Sequence, residues 1–133
     1  MTRILTIATI LASWHKPTPH YGQGGYAKFY AEDVMERVAV NRGYIANPSD
    51  YRAWLDAQGL DGAASLMRRA DLGRIFKIRW PDGTITRHIS IDCAGFRHYF
   101  RRWSQGDVVE VDKQMAERMG MRGPVRVTVI FEN

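Results

Sequence analysis

Residues 74–92 most restrict the possible fold of this chain, because they predict a β-hairpin. RIFKIRW alternates apolar with charged residues, as a strand with one buried face does. The turn follows at PDG, where proline presets φ and glycine accepts a positive φ. TITRHISID then alternates again as the returning strand. The residues predicted to share the inward face are Phe76, Ile78, Trp80, Ile85, Ile89 and Ile91.

Three further segments predict strands that would cover this hairpin. ILTIATILASW (4–14) is rich in Ile, Leu and Thr, which favours a first strand buried on both faces. DVVEV (107–111) and VRVTVIF (125–131) predict two more strands, the second with its valines and Phe131 on one side. HKPTPHYGQGG (15–25) is rich in proline and glycine and predicts a loop. The chain is therefore expected to be a small β-rich domain, closed as a barrel.

The helical signals are short. NPSDYRAWLDAQG predicts a helix capped by Ser49 or Asp50 and ended by Gly59. DKQMAERMG predicts another, with Asp112 as N-cap and Gly120 at its end. Residues 31–41 fit either a short helix or an irregular strand, and residues 62–70 are expected to add a helical turn or two.

Composition and charge restrict the class of protein and of partner. The chain has 133 residues, 45% of them hydrophobic, which is enough for one globular domain spanning 1–133. Its single cysteine, Cys93, forms no internal disulfide. The net charge is +5, and residues 68–103 hold nine Lys/Arg against three Asp. A basic stripe of this kind indicates an acidic partner: nucleic acid, an anionic cell-wall polymer or a membrane surface.

The first residues give no clear export signal. MTRILTIATILASW has a basic residue and an apolar stretch, but three threonines interrupt it, and it is too short to span a bilayer. No transmembrane segment is expected.

Four segments carry a resemblance to a known family: ASWH (12–15), AVNR (39–42), ISIDCAGF (89–96) and VVEVDKQMAERMGM (108–121). In this order they resemble ASWYG, AAHR, VRINDRGPF and, without a gap, VIDLSRAAAERLGM. These are segments of the double-psi β-barrel domain of rare lipoprotein A, a relative of the expansins and barwin-like proteins. The resemblance implies a mainly β, six-stranded double-psi β-barrel with one or two short helices and a helical insertion at about 43–71.

The resemblance also implies engagement of peptidoglycan glycan strands, by a lytic transglycosylase or a non-cleaving, expansin-like binder. In cleaving relatives the aspartate of the central motif, here Asp92, acts as general acid and base. Asn41, Tyr30 and His88 are then candidate positioning groups. Trp14, Tyr21 and Trp103 are candidate sugar platforms, with Arg97 beside them. The implied location is the cell envelope or the extracellular space, including a phage-encoded origin, as a monomer without cofactor or metal.

Two departures from the family pattern bear on catalysis. Asn41 stands where the family has histidine, and Tyr30 falls where it has an acid. Asparagine and tyrosine hydrogen-bond sugars, but neither replaces imidazole or glutamate as a proton carrier. Glu110 stands at the aspartate of the family's DLS segment. Whether the chain is an enzyme is therefore left open by the sequence.

The stripe FRHYFRRW (96–103) has three interpretations. Its aromatic and basic residues suit glycans, whose rings stack on aromatic faces, or nucleic acid, with nucleic acid the less-favoured partner. Alternatively, its aromatic residues anchor a loop while the arginines cover the surface. The rival functions are a small basic nucleic-acid-binding barrel and a catalytically inactive structural barrel of an envelope or phage assembly.

Overall fold

The computed structural model describes residues 6–132, which form six strands and five α-helices. The strands are β1 (Gln23–Phe29), β2 (Gly62–Leu66), β3 (Ile75–Arg79), β4 (Ile85–Cys93), β5 (Asp107–Val111) and β6 (Val125–Phe131). The helices are α1 (Ile7–His15), α2 (Val34–Asn41), α3 (Tyr51–Ala57), α4 (Phe96–Ser104) and α5 (Lys113–Arg118). Short 3-10 turns lie at Pro48–Asp50 and Arg69–Asp71.

The strands close a mixed barrel in the order β1-β5-β2-β4-β3-β6. Two neighbouring pairs are parallel, β1 with β5 and β2 with β4, and the other four pairs are antiparallel. The prediction of a six-stranded barrel is confirmed. The expected helix content was too low, since helix, including the 3-10 turns, occupies 35% of residues 6–132 and strand 30%.

The core has two main parts, one on each side of the barrel wall. Inside the barrel, Phe76, Ile78 and Trp80 of the hairpin meet Val127 and Val129 of β6, as their alternation predicts. Outside, α2 and α3 cover the wall with a second cluster that contains Met35, Leu55, Ala63, Ile89 and Ile91. Strand β4 is therefore buried on both faces along most of its length.

The predicted inward face of the returning strand is wrong, because Ile89 and Ile91 lie in the outer cluster and Ile85 is also on the outside. Ile85 is 52% exposed, while Thr86 and His88 have no exposed surface. Their polar atoms form a chain inside the barrel, in which Trp80 Nε1 donates to Thr86 Oγ1 over 2.8 Å, and Thr86 Oγ1 lies 2.7 Å from His88 Nε2. These bonds give the buried Trp80 Nε1, Thr86 Oγ1 and His88 Nε2 hydrogen-bond partners, whereas His88 Nδ1 has none within residues 6–132.

The predicted first strand is wrong. Residues 4 and 5 lie outside the described residues, and residues 7–15 form helix α1. Thr6 caps this helix, because its side chain accepts a hydrogen bond from the Thr9 amide. Ile10 and Trp14, four residues apart, pack on Tyr99 of α4 and its neighbours. Tertiary contact with α4 therefore outweighs the β-propensity of the segment.

Other boundaries also need correction. The loop predicted at 15–25 ends early, because β1 begins at Gln23. Residues 62–70, expected to be helical, contain β2, a central strand of the barrel, so this strand lies within the stretch 43–71 that was expected as an insertion. Residues 31–41 resolve to helix α2 from Val34 onward, and FRHYFRRW forms helix α4 rather than a loop. The helices α3 and α5 are confirmed, with Asp112 capping α5 through the Met115 amide at 2.7 Å.

Candidate functional site

A row of polar side chains crosses neighbouring strands on the outer wall of the barrel. Glu110 of β5 lies opposite Ser65 of β2, and Ser65 lies opposite Asp92 of β4. Tyr30 directly follows β1, and its amide donates to the Val111 carbonyl over 3.1 Å. We call these four residues, Tyr30, Ser65, Asp92 and Glu110, the Asp92 row. They lie outside because their neighbours Ala64, Val109 and Val111 fill the barrel core.

A bulge in β4 brings Asp92 into this row. The pairing of β2 with β4 runs Ala64 to Ser90 and then Ser65 to Asp92, so Ile91 is passed over. With regular alternation, Asp92 would share the inward side of Ser90. The extra residue instead sets Asp92 opposite Ser65, and bulges re-aim side chains in this way next to functional sites.

Two arginines hold the carboxylates of the row from opposite helices. Arg42, at the end of α2, places Nη2 3.2 Å from Asp92 Oδ1. Arg102 of α4 places Nη1 3.1 Å from Glu110 Oε2. The backbone amide of Cys93 also donates to Asp92 Oδ1, over 2.9 Å. The row therefore lies on the wall between α2 and α4.

Exposure differs along the row. The Asp92 side chain is 27% exposed and the Glu110 side chain 15%, so Asp92 is the more accessible carboxylate. Next to Glu110, an open groove of about 300 Å³ is lined by Lys28, Phe29 and Pro124. Glu110 therefore belongs both to the Asp92 row and to the lining of this groove.

Tyr30 is a neutral hydrogen-bonding group in this setting. Burial raises the pKa of the Tyr30 phenol, and the nearby carboxylates of Glu110 and Asp92 raise it further. The phenol keeps its proton at neutral pH and acts as a donor and acceptor. It is not a proton carrier for acid–base chemistry at that pH.

Cys93 is not an activated nucleophile. Burial raises the pKa of its thiol, and the Asp92 carboxylate adds to this effect. A neutral, half-buried thiol reacts slowly, because the thiolate is the nucleophilic form. Within residues 6–132, neither histidine forms a hydrogen bond with Cys93: His88 is bonded to Thr86 inside the barrel, and His98 to Arg101.

The predicted site residues divide into those near Asp92 and those elsewhere. Tyr30 joins the row, whereas Asn41 is exposed at the end of α2 with Arg42, the next residue, making the contact to Asp92. His88 is fully buried inside the barrel and so presents no surface to a polymer. The same burial lowers the pKa of its imidazole to about 3. Arg42 and Ser65 were missed by sequence reasoning. Arg42 is the last residue of the AVNR segment, where it was given no role, and no local signal marks Ser65.

The predicted aromatic platforms lie on or near α1 and α4. Trp14 is half-buried and donates its indole N–H to the Ala94 carbonyl over 2.8 Å, which fixes its ring. Tyr21 is 73% exposed in the loop before β1, and Trp103 is 48% exposed on α4. Arg97 is exposed on the same helix. No contact joins Tyr21, Arg97 or Trp103 to Asp92 within residues 6–132.

Within the part of the chain that the structure describes, no three His, Cys, Asp or Glu side chains gather as metal ligands would. Over the same residues, no helix has the length and apolar character needed to cross a membrane. The Asp92 row and its two arginines present two carboxylates, two guanidinium groups, a phenol and a hydroxyl.

Comparison with known proteins does not assign a family. No protein-family model matches the chain, and no curated protein matches its sequence.

Proposed function

We propose that the chain binds bacterial peptidoglycan or a similar polysaccharide along the Asp92 row. The observation that carries the proposal is the outward, partly exposed Asp92 carboxylate, set by the β4 bulge on a wall between two arginine-bearing helices. Carboxylates, guanidinium groups and phenols bind sugar hydroxyls through paired hydrogen bonds.

The resemblance of ISIDCAGF and AVNR to the rare lipoprotein A domain supports the same surface. The resemblance singles out Tyr30, Asp92 and Glu110 from the sequence, and these three residues are neighbours on the outer wall of the barrel. The closed barrel also has the six strands that the resemblance implies.

The chemistry of the row supports binding ahead of cleavage. In the resembling family a single aspartate both protonates the leaving oxygen and activates the attacking sugar hydroxyl. Here Asp92 is paired with Arg42. Asn41 and Tyr30 replace the family's imidazole and second acid. The residues present suit a glycan-binding barrel related to transglycosylases.

A pull-down on insoluble peptidoglycan tests the proposal. The proteins compared are the wild type, Asp92→Asn, Arg42→Gln and the control Asp82→Asn, which alters an exposed aspartate in the β3–β4 turn. We expect binding by the wild type and the control, and at least about fivefold weaker binding by Arg42→Gln, which loses a charged hydrogen-bond donor. Equal binding by all four proteins, or by none, would reject the Asp92 row as a glycan site.

The same samples separate binding from cleavage. Mass spectrometry of the soluble fraction would detect anhydro-muropeptides, the products of non-hydrolytic cleavage. Their release by the wild type but not by Asp92→Asn would make the chain a transglycosylase. Binding without release identifies a non-cleaving barrel. A protein that binds no glycan would fit the structural barrel of an envelope or phage assembly.

A further inference from the structure

We propose that α1 and α4 form a docking surface for an anionic lipid bilayer, separate from the Asp92 row. The observations are the composition of α4, its packing on α1 and the apolar side chains that the pair leaves exposed.

Helix α4 has an aromatic side and a basic side. Phe96, Phe100 and Trp103 recur at positions i, i+4 and i+7 and so share one side, which adjoins the buried Tyr99. The other side carries Arg97 and Arg101, both exposed. Phe100 is 45% and Trp103 48% exposed, and their rings lie 6.4 Å apart. Arginines beside exposed phenylalanine and tryptophan are typical of helices that lie in the membrane interface.

Helix α1 extends this surface. Ser13 Oγ lies 2.6 Å from the Tyr99 hydroxyl, and the rings of Trp14 and Phe96 are 6.0 Å apart, so the two helices pack directly. Ile7 is 74% exposed and Leu11 40%, and their i, i+4 spacing places them on one side of α1. With Phe100 and Trp103, they are four of the seven large hydrophobic residues that are exposed within residues 6–132.

The charge around these helices favours an anionic partner. Residues 6–22 and 94–106, which contain α1 and α4, have no acidic residue and four Lys/Arg. Arg102 is paired with Glu110, and the other three, Lys16, Arg97 and Arg101, form no ion pair within residues 6–132. Arg69 adds a further exposed cation beside them, with its guanidinium 5.7 Å from the Trp14 ring centroid.

A bilayer fits this combination better than a purely polar polymer does. Four exposed apolar side chains gain by entering the acyl boundary, while arginines contact lipid phosphates. Phosphate contacts alone would explain the arginines and leave Ile7 and Leu11 without a role. The Asp92 row supplies none of these side chains, so the proposal stands independently of glycan binding.

The test is co-sedimentation with sucrose-loaded vesicles, either of phosphatidylcholine alone or of phosphatidylcholine and phosphatidylglycerol in equal parts. We expect binding to the anionic vesicles and at least about tenfold weaker binding to the neutral ones. Tryptophan emission should shift to shorter wavelength on binding. Trp103→Phe, which keeps an aromatic ring, should lose most of that shift and little of the binding.

Two pairs of variants distinguish binding through α1 and α4 from electrostatic attraction of the whole chain to anionic vesicles. Phe100→Ser should weaken binding about tenfold, and Ile85→Ser, at a residue equally exposed on the hairpin, should leave it unchanged. Arg97→Gln with Arg101→Gln should weaken binding more than Lys77→Gln with Arg79→Gln, which removes the same charge from β3. Circular dichroism and thermal unfolding confirm that each variant is folded.

Several results would overturn the proposal. Equal loss in each variant pair would mean that net charge alone attracts the chain to vesicles. A concentration-dependent dimer that Phe100→Ser dissociates would mean that a second copy covers the surface. Tighter binding of a labelled oligonucleotide than of vesicles, through the same arginines and unaffected by Phe100→Ser, would make the partner nucleic acid.

Discussion

The hydroxyl of Tyr51 joins α3 to the barrel, and its removal should destabilise the fold measurably. Tyr51 is 1% exposed, and its hydroxyl donates to Asp112 Oδ2 over 2.5 Å. The amide of Ala63, in β2, donates to the same hydroxyl over 3.2 Å. Asp112 in turn caps α5 through Met115. One phenol therefore connects a helix, a strand and a helix cap.

Replacing Tyr51 with phenylalanine keeps the ring and removes both hydrogen bonds. A hydrogen bond to a carboxylate contributes about 1.5–3 kcal/mol, and the buried oxygen of Asp112 would lose its phenol donor. The Ala63 amide keeps a partner, because it lies 3.4 Å from Asp112 Oδ2. The expected loss in the free energy of unfolding is therefore about 2–3 kcal/mol.

Urea denaturation followed by circular dichroism measures this loss. With a urea dependence of about 2 kcal/mol per M, the midpoint should fall by about 1 M or slightly more. Tyr44→Phe is the control, since Tyr44 is 38% exposed and its hydroxyl makes no hydrogen bond within residues 6–132; its midpoint should move by less than about 0.3 M. Equal shifts for the two variants would refute the role assigned to the Tyr51 hydroxyl.

Three other perturbations have defined outcomes. Burial raises the pKa of the Asp112 carboxyl, so the unfolded state loses this proton first, and the free energy of unfolding should fall as pH rises above about 4, the ordinary carboxyl value. Asp112→Asn removes that slope, and urea titrations at several pH values that show no flattening would contradict the assignment. Gly25→Ala places a Cβ 2.5 Å from the Gly106 carbonyl oxygen, so its thermal unfolding should show a loss of at least about 2 kcal/mol, whereas Gly24→Ala, with open space around it, should lose under about 1 kcal/mol. Because burial and the Asp92 carboxylate raise the pKa of the Cys93 thiol, a disulfide reagent at about pH 8 should react on the order of tenfold more slowly with the folded than with the urea-unfolded protein, and Asp92→Asn should speed the folded reaction. A folded rate equal to the unfolded one would place the thiol in open solvent.

The elements that the sequence predicts correctly are those determined by local chemistry. The hairpin of β3 and β4 follows from alternation on both sides of PDG, where Gly83 takes φ of +85°. Helix α5 follows from Asp112, whose side chain caps it, and from Gly120, whose φ is +65°. Each of these signals acts within a few residues, so no knowledge of distant partners is needed.

The errors fall where distant contacts decide the structure. QGGYAKF contains two glycines and little β-propensity, yet it forms β1 because β5 and β6 offer partners on both sides. Gly25 is required there, since β5 approaches too closely for a Cβ. Strand β2, GAASL, has every residue buried between β4 and β5, where small side chains fit. Neither segment shows the Val- and Ile-rich pattern that identifies a strand from sequence.

Helices α1 and α4 also depend on distant contacts, and local sequence predicts neither of them as a helix. β-Branched residues in α1 suggest a strand, and the aromatic residues of α4 suggest a loop rim. Each helix is stabilised by the other, through the pair Ser13 and Tyr99 and the contact of Trp14 with Phe96. Prediction of one requires knowledge of the other, and 80 residues separate Trp14 from the Ala94 carbonyl that fixes it.

The position of Asp92 combines local and distant effects. Its place at the end of an alternating strand is visible in the sequence, but the alternation that β4 adopts, with Ile89 outside and Ser90 inside, would point Asp92 into the barrel. The bulge at Ile91, where the pairing of β2 with β4 shifts by one residue, reverses that direction. The residue that then meets Asp92 is Arg42 rather than Asn41, because the end of α2 presents the arginine to β4. The site thus depends on a register shift and a helix end, and a variant that straightens the bulge should remove Asp92 from the row without altering any residue in it.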